Sequence, residues 1–162
     1  MMRRLFLLTA LCAAAVSVFA GTSQAKTIRK CKPNLQYGLE VMDKTNIIVF
    51  CGSAKATVKF NGKTYHFTNG ACYKAVGSLN VGIGKYTTTI THPPYFTSLY
   101  LVVPATQDGT YRLGVLTVQF KGKSYETTAS TKVIVKNKRS RGSFAGKFTK
   151  GGPTFTGTFT CK

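Results

Sequence analysis

The chain has 162 residues, is 43% hydrophobic, and carries 23 Lys and Arg against 4 Asp and Glu, a formal net charge of +19. An ordinary apolar fraction excludes a disordered polyelectrolyte and points to one domain with its own core. Four acids leave little material for paired-carboxylate catalysis, while the excess of cations draws polyanions.

Arg3 and Arg4 precede an unbroken apolar stretch from Leu5 to Ala20, with small residues at Val18-Phe19-Ala20 and Ser23-Gln24-Ala25. This is the pattern of a secretory signal peptide over residues 1–25, cleaved after Ala20 or Ala25. Residues 26–162 are then a single secreted β-domain, extracellular or associated with the cell envelope. Loss of Arg3 and Arg4 lowers its formal charge from +19 to +17. The apolar stretch is shorter than the roughly 20 residues that span a bilayer, and no later segment approaches that length, so no integral membrane span is expected. Cys12 is preceded by Leu11 rather than by the small residue that a lipid-bearing cysteine needs, so no lipid anchor is expected either.

The segment Pro33 to Asp43 reads equally as a strand or a short helix, and Asn46 to Cys51 as a buried strand. Then comes a unit that occurs twice. Thr57-Val58-Lys59-Phe60-Asn61-Gly62-Lys63-Thr64-Tyr65 returns 60 positions later as Thr117-Val118-Gln119-Phe120-Lys121-Gly122-Lys123-Ser124-Tyr125. Apolar and polar residues alternate about a two-residue turn ending in Gly, which accepts positive φ, and this predicts a β-hairpin in each copy. The first spans Ala54 to Phe60 and Lys63 to Phe67. Leu79, Val81 and Ile83 alternate next, with Gly82-Ile83-Gly84 read as a strand end, because it lacks the remaining glycine and helix of a phosphate loop. Tyr95 to Val103 is a long apolar run after Pro93-Pro94. Gln107-Asp108-Gly109 turns into Tyr111 to Phe120, followed by Lys123 to Thr127 and Lys132 to Lys136. Scarce helical periodicity and recurrent Gly and Pro turns predict an all-β, antiparallel, sandwich-like domain with two disulfides.

Phe144-Ala145-Gly146-Lys147-Phe148 and Phe155-Thr156-Gly157-Thr158-Phe159 are both Phe-x-Gly-x-Phe, so each strand sends Phe, Gly and Phe to the core face, which Cys161 continues. Thr154, Thr156, Thr158 and Thr160 take the other face, expected to be a solvated β-branched surface, with a sugar polymer or another ordered surface as the functional alternative.

Removal of Cys12 with the signal leaves Cys31, Cys51, Cys72 and Cys161, none spaced as a redox or zinc pair. Four cysteines allow three connectivities. Cys31 with Cys51 and Cys72 with Cys161 is favoured, since the first two bracket the N-terminal segment and each of the others ends a β-like stretch. On the chain-entropy account the longer loop stabilises by about 4 kcal/mol and the shorter by about 3.

Catalysis is not expected. His66 alternates with Tyr65 and Phe67 in a hairpin strand, and His92 precedes Pro93-Pro94 without an acid–base partner. Of the acids Glu40, Asp43, Asp108 and Glu126, two lie in the ambiguous N-terminal segment and Asp108 belongs to a turn. Neither a metal site nor a cofactor is expected. The densest positive cluster is Lys136-Asn137-Lys138-Arg139-Ser140-Arg141. Lys136, Lys138, Arg139 and Arg141 are therefore the candidate ligand residues, for an anionic cell-wall or extracellular polymer and not for a specific nucleic acid. The same loop reads alternatively as a solvated turn that keeps the protein soluble. A protein-binding module, such as a secreted inhibitor or adhesin, is the second functional class.

The two Gly-Lys hairpins, Asn69-Gly70-Ala71-Cys72, Gly142-Ser143-Phe144-Ala145-Gly146 and Gly157-Thr158-Phe159-Thr160-Cys161 together resemble the mycobacterial lipoprotein antigen family, from about Lys55 to Cys161. The resemblance implies a small non-enzymatic β-domain at the cell envelope with a disulfide between Cys72 and Cys161. Leu11 departs from the family's lipidation signal, and the pair Cys31 and Cys51 has no counterpart in the matched region, so lipid-dependent immune recognition is not carried over.

Overall fold

A computed structural model of the chain describes residues 37–42, 45–87, 96–128, 130–149 and 151–161. The expected signal peptide, Cys31, Asp43 and His92 lie outside the described residues. Among the described residues eleven strands follow in order: β1 Tyr37–Met42, β2 Thr45–Phe50, β3 Ala54–Phe60, β4 Lys63–Ala75, β5 Ser78–Tyr86, β6 Ser98–Val103, β7 Gly109–Phe120, β8 Lys123–Glu126, β9 Thr131–Lys136, β10 Arg141–Lys147 and β11 Thr154–Thr160. The ambiguous N-terminal segment thus contributes a strand, β1, paired with β2.

All pairings are antiparallel, and eight of the strands close into a barrel rather than the expected sandwich. The ring runs β3-β4-β5-β6-β7-β9-β10-β11 and seals where β11 pairs β3, from Phe155 opposite Phe60 to Thr160 opposite Lys55. Inside–outside alternation is the same in a sandwich and a barrel; only this closing register separates them, and it joins strands far apart in the chain. Eight strands enclose an interior that side chains just fill. Here Val58, Leu79, Leu99, Leu101, Leu116 and Val133 are completely buried in it.

Both copies of the repeat are hairpins with the same turn. Asn61 and Gly62 take φ of 50° and 70°, Lys121 and Gly122 48° and 77°, the left-handed pair that matches the twist of the flanking strands. The two units pack reciprocally. Phe60 of the first lies 5.0 Å from Tyr125 of the second, and Tyr65 of the first lies 4.7 Å from Phe120 of the second, between ring centroids. Because Phe60 and Phe120 are equivalent positions, as are Tyr65 and Tyr125, the repeat meets itself about an approximate two-fold axis. Phe148 and Phe155 extend this aromatic end of the barrel.

The copies differ in their second strand. The first is expected to stop at Phe67, yet β4 continues to Ala75 through an irregularity where Asn69 takes φ of 64° and the register on β3 shifts. The corresponding strand of the second copy is short, ending at Glu126, and β9 takes over the pairing with β7. Continuation of β4 carries Cys72 to Cys161 just past β11, and the two form a disulfide with a Cα separation of 5.6 Å. Cys51 is also disulfide-bonded.

Gly82-Ile83-Gly84 falls inside β5, where the strand changes partner: Gly84 is the last residue opposite β6, and Lys85 and Tyr86 pair with β2. Gly82 is required because a Cβ there would meet the Phe50 ring within 2.2–2.6 Å. Phe50 lies over this glycine and stacks on Tyr100, with centroids 5.8 Å apart. The β2 ribbon therefore covers the outside of the barrel around β5 and β6.

Candidate functional site

The cluster from Lys136 to Arg141 forms the connection between β9 and β10. Its backbone is unusual: Asn137, Lys138 and Arg139 all take left-handed φ, at 57°, 54° and 60°. Side chains with a Cβ adopt that conformation sparingly, so three in succession need support. Asp108 supplies it. Its carboxylate accepts from the amides of Lys138 at 2.9 Å and Arg139 at 2.7 Å, and Asn137 also donates to it through its backbone. Successive amides converging in this way form an anion-binding nest, here filled by a carboxylate of the same chain. The Ser140 hydroxyl donates to the Asn137 carbonyl at 2.6 Å, and Lys74 donates to the Lys138 carbonyl at 2.6 Å.

The four cations proposed from sequence consequently divide. Arg139 is half-buried and its guanidinium donates to the Ala105 carbonyl at 3.0 Å, bracing the loop. Lys136, Lys138 and Arg141 are exposed. Lys136 and Arg141 stand opposite each other across the β9–β10 register and belong to the barrel wall, whereas Lys138 is at the tip.

Hydrogen bonds from the backbone of Arg139, ahead of those from Lys138 and Asn137, hold the Asp108 carboxyl below its ordinary value of 3.8. A carboxyl whose folded value is depressed contributes fully above the unfolded value and loses that contribution as pH falls through the folded one. The Lys138 and Arg139 amides should therefore stay protected through pH 4 and become exchangeable only below the ordinary carboxylate range. Amide exchange or chemical shifts followed between pH 2 and 7 check this, with Asp108→Ala expected to expose both amides at neutral pH.

The outward face of β9, β10, β11 and β3 continues from Lys136 and Arg141. The register places Lys136, Arg141, Thr160 and Lys55 in one row across the four strands. Ile134, Ser143, Thr158 and Thr57 form the next, ending on His66 of β4. Lys132, Ala145, Thr156 and Lys59 form the third, ending on Thr64. The β11 threonines at 154, 156, 158 and 160 are all exposed, and the Thr57 and Thr158 hydroxyls lie 2.9 Å apart. Small residues between the cations leave an open groove of about 520 Å³ whose lining includes Thr57, Lys59, Lys132, Ser143 and Thr158. Two further depressions, of about 240 and 320 Å³, adjoin it along β11.

The inward side of the same strands explains why this wall is regular. Phe144, Phe148, Phe155 and Phe159 are all buried. Gly157 sits opposite Phe144, where a Cβ would come within 2.3 Å of the ring and 2.4 Å of the Thr57 carbonyl. Large rings alternate with glycine, so the strands stay close and the outer rows stay in line.

Sequence reasoning found Lys136 and Arg141 but missed Lys55, Lys59 and Lys132 as their neighbours. The signal was present in Lys-Ala-Thr-Val-Lys and Lys-Val-Ile-Val-Lys, each with two cations four residues apart on one strand face. His66 is exposed on this wall. Among the described residues no group of three or more His, Cys, Asp or Glu is placed to hold a metal ion, and no helix is long and apolar enough to cross a membrane. No family model, curated protein or solved structure matches this chain.

Proposed function

We propose that this is a secreted, non-enzymatic β-barrel protein of the cell envelope or extracellular space that associates with anionic polymer. Kinship with the mycobacterial lipoprotein antigen family, without its lipid anchor, belongs to the same proposal. The observation that carries it is how little acid accompanies the positive charge, 4 Asp and Glu against 23 Lys and Arg. Of the four acids, Asp108 is bound to the Lys138 and Arg139 amides, and its single charge is set against the tip of the loop. Glu126, the other acid with a described side chain, stands on β8, where its carboxylate accepts from Ser124 at 3.2 Å and its carbonyl accepts from the Thr149 amide at 2.8 Å. Lys136 and Arg141 are thus exposed on strands that contain no acid, and Lys138 is exposed at the tip beside Asp108. A field of that kind raises the local concentration of a polyanion and weakens as salt screens it.

Retention on immobilised heparin or teichoic acid tests the proposal. The protein should bind at physiological salt and elute below about half-molar salt, within the range where screening shortens to a few ångströms. Lys136→Gln, Lys138→Gln and Arg141→Gln combined should elute clearly earlier, with Arg139 kept because it braces the loop. Retention that withstands higher salt, or that ignores the triple substitution, counts against an electrostatic polymer association.

A further inference from the structure

We infer that the binding surface is the outward wall of β9, β10, β11 and β3, and that its occupant is an extended acidic polysaccharide lying across those strands. This rests on the polymer-binding reading above and goes further by naming the face and the chemistry of its ligand. Lys55, Lys59, Lys132, Lys136, Arg141 and Lys147 all project from this wall, and the sequences of the four strands contain no acid. The charge is ordered as well as uniform. One row of cations crosses the wall at Lys136, Arg141 and Lys55, and a second at Lys132 and Lys59, four residues further along the strands. Four residues of strand span roughly 13 Å, so the rows form two parallel rails with a groove between them.

What lies between the rails selects the ligand. The strip between them holds three hydroxyl side chains, Thr57, Ser143 and Thr158, beside Ile134, and Thr156 adds a further hydroxyl within the Lys132–Lys59 row; each hydroxyl both donates and accepts. No aromatic side chain projects from the outward positions of these four strands, since their Phe residues are all inward and buried. Single-stranded nucleic acid is held by stacking of bases on aromatic platforms, which this face lacks. A chain with regularly spaced carboxylate or sulfate groups and abundant hydroxyls matches both the rails and the strip. The opposite side of the barrel is unsuited, because Phe50 of β2 covers it at Gly82.

The test uses the full secreted chain and a fluorescent heparin oligosaccharide, with oligo-dT of similar charge as comparator. Lys55→Gln, Lys59→Gln and Lys132→Gln together should weaken heparin binding at least tenfold and reduce the slope of log K against log salt by about two to three. An equal-charge control, Arg112→Gln, Lys121→Gln and Lys123→Gln, removes exposed cations from β7, β8 and their turn and should change affinity less than threefold. Thr156→Val with Thr158→Val keeps shape and charge, and should weaken heparin several-fold with the salt slope unchanged. Thermal unfolding of each variant near the wild-type midpoint shows that the barrel is intact. Equal losses in the wall and control variants would overturn the assignment to this wall, as would an unaffected wall variant. Oligo-dT binding as tight as heparin, or indifference to the threonine changes, would overturn the polysaccharide as occupant. Wild-type protein that binds no heparin at all would instead sink the broader polymer-binding proposal.

Discussion

Replacement of Cys72 and Cys161 together by Ser should lower the unfolding free energy by about 4–5 kcal/mol, a third or more of the stability of an ordinary domain. The two cysteines lie 89 residues apart, so the bond removes the closure entropy of a long loop from the unfolded chain. Its position adds to the effect. Cys72 is on β4 and Cys161 follows β11, and these two strands flank β3 on either side. The bond therefore ties together the neighbours of the strand at which the barrel closes. A meander without that tie must bring β11 back to β3 by hydrogen bonds and Phe burial alone. Serine substitution is a cleaner probe than a reducing agent, since Cys51 is disulfide-bonded too. Urea unfolding should show the lowered midpoint, and hydrogen exchange should show the β11 amides losing protection before those of β5 and β6. A double serine variant within about 1 kcal/mol of the wild type would mean that the closing register stands on its own.

That closing register was the part of the fold the sequence concealed. Local alternation made the hairpins at Asn61-Gly62 and Lys121-Gly122 legible, along with the inward Phe residues and the outward threonines. Each of those depends on neighbours a few residues away. Pairing of Phe155 with Phe60 depends on two segments that share no local signal, and a sandwich satisfies the same alternation. The loop at 137–139 was hidden for a related reason. Lys138 and Arg139 are poor residues for left-handed backbone, and only the arrival of Asp108 from some 30 positions earlier makes the conformation tenable. Asp108 itself looked like an ordinary Asp-Gly turn residue. Gly82, too, resembled a strand end until Phe50 was seen lying on it. The cationic wall shares this history: its lysines were visible singly, but the rows exist only once β11 joins β10 to β3.

The reciprocal contact between the repeated hairpins yields the second large effect. Phe60→Ala should destabilise by about 3–5 kcal/mol, because the ring is 3% exposed and touches Tyr65, Tyr125 and Phe148. Phe120→Ala should cost distinctly less. Its side chain is only half-buried, and its contacts include Tyr65 and the Lys121 ammonium 5.6 Å above the ring. The couplings should nevertheless agree. Double-mutant cycles on Phe60 with Tyr125 and on Tyr65 with Phe120 isolate the two copies of the same ring pair, each expected to contribute about 0.5–1.5 kcal/mol beyond area burial. Unequal truncation costs with matching couplings are what two copies of one unit produce when a single approximate axis relates them and Phe148, after β10, packs on the Phe60–Tyr125 pair. A coupling present in one cycle and absent in the other would show that the second pair merely lies close, and that the repeated sequence serves the turns alone.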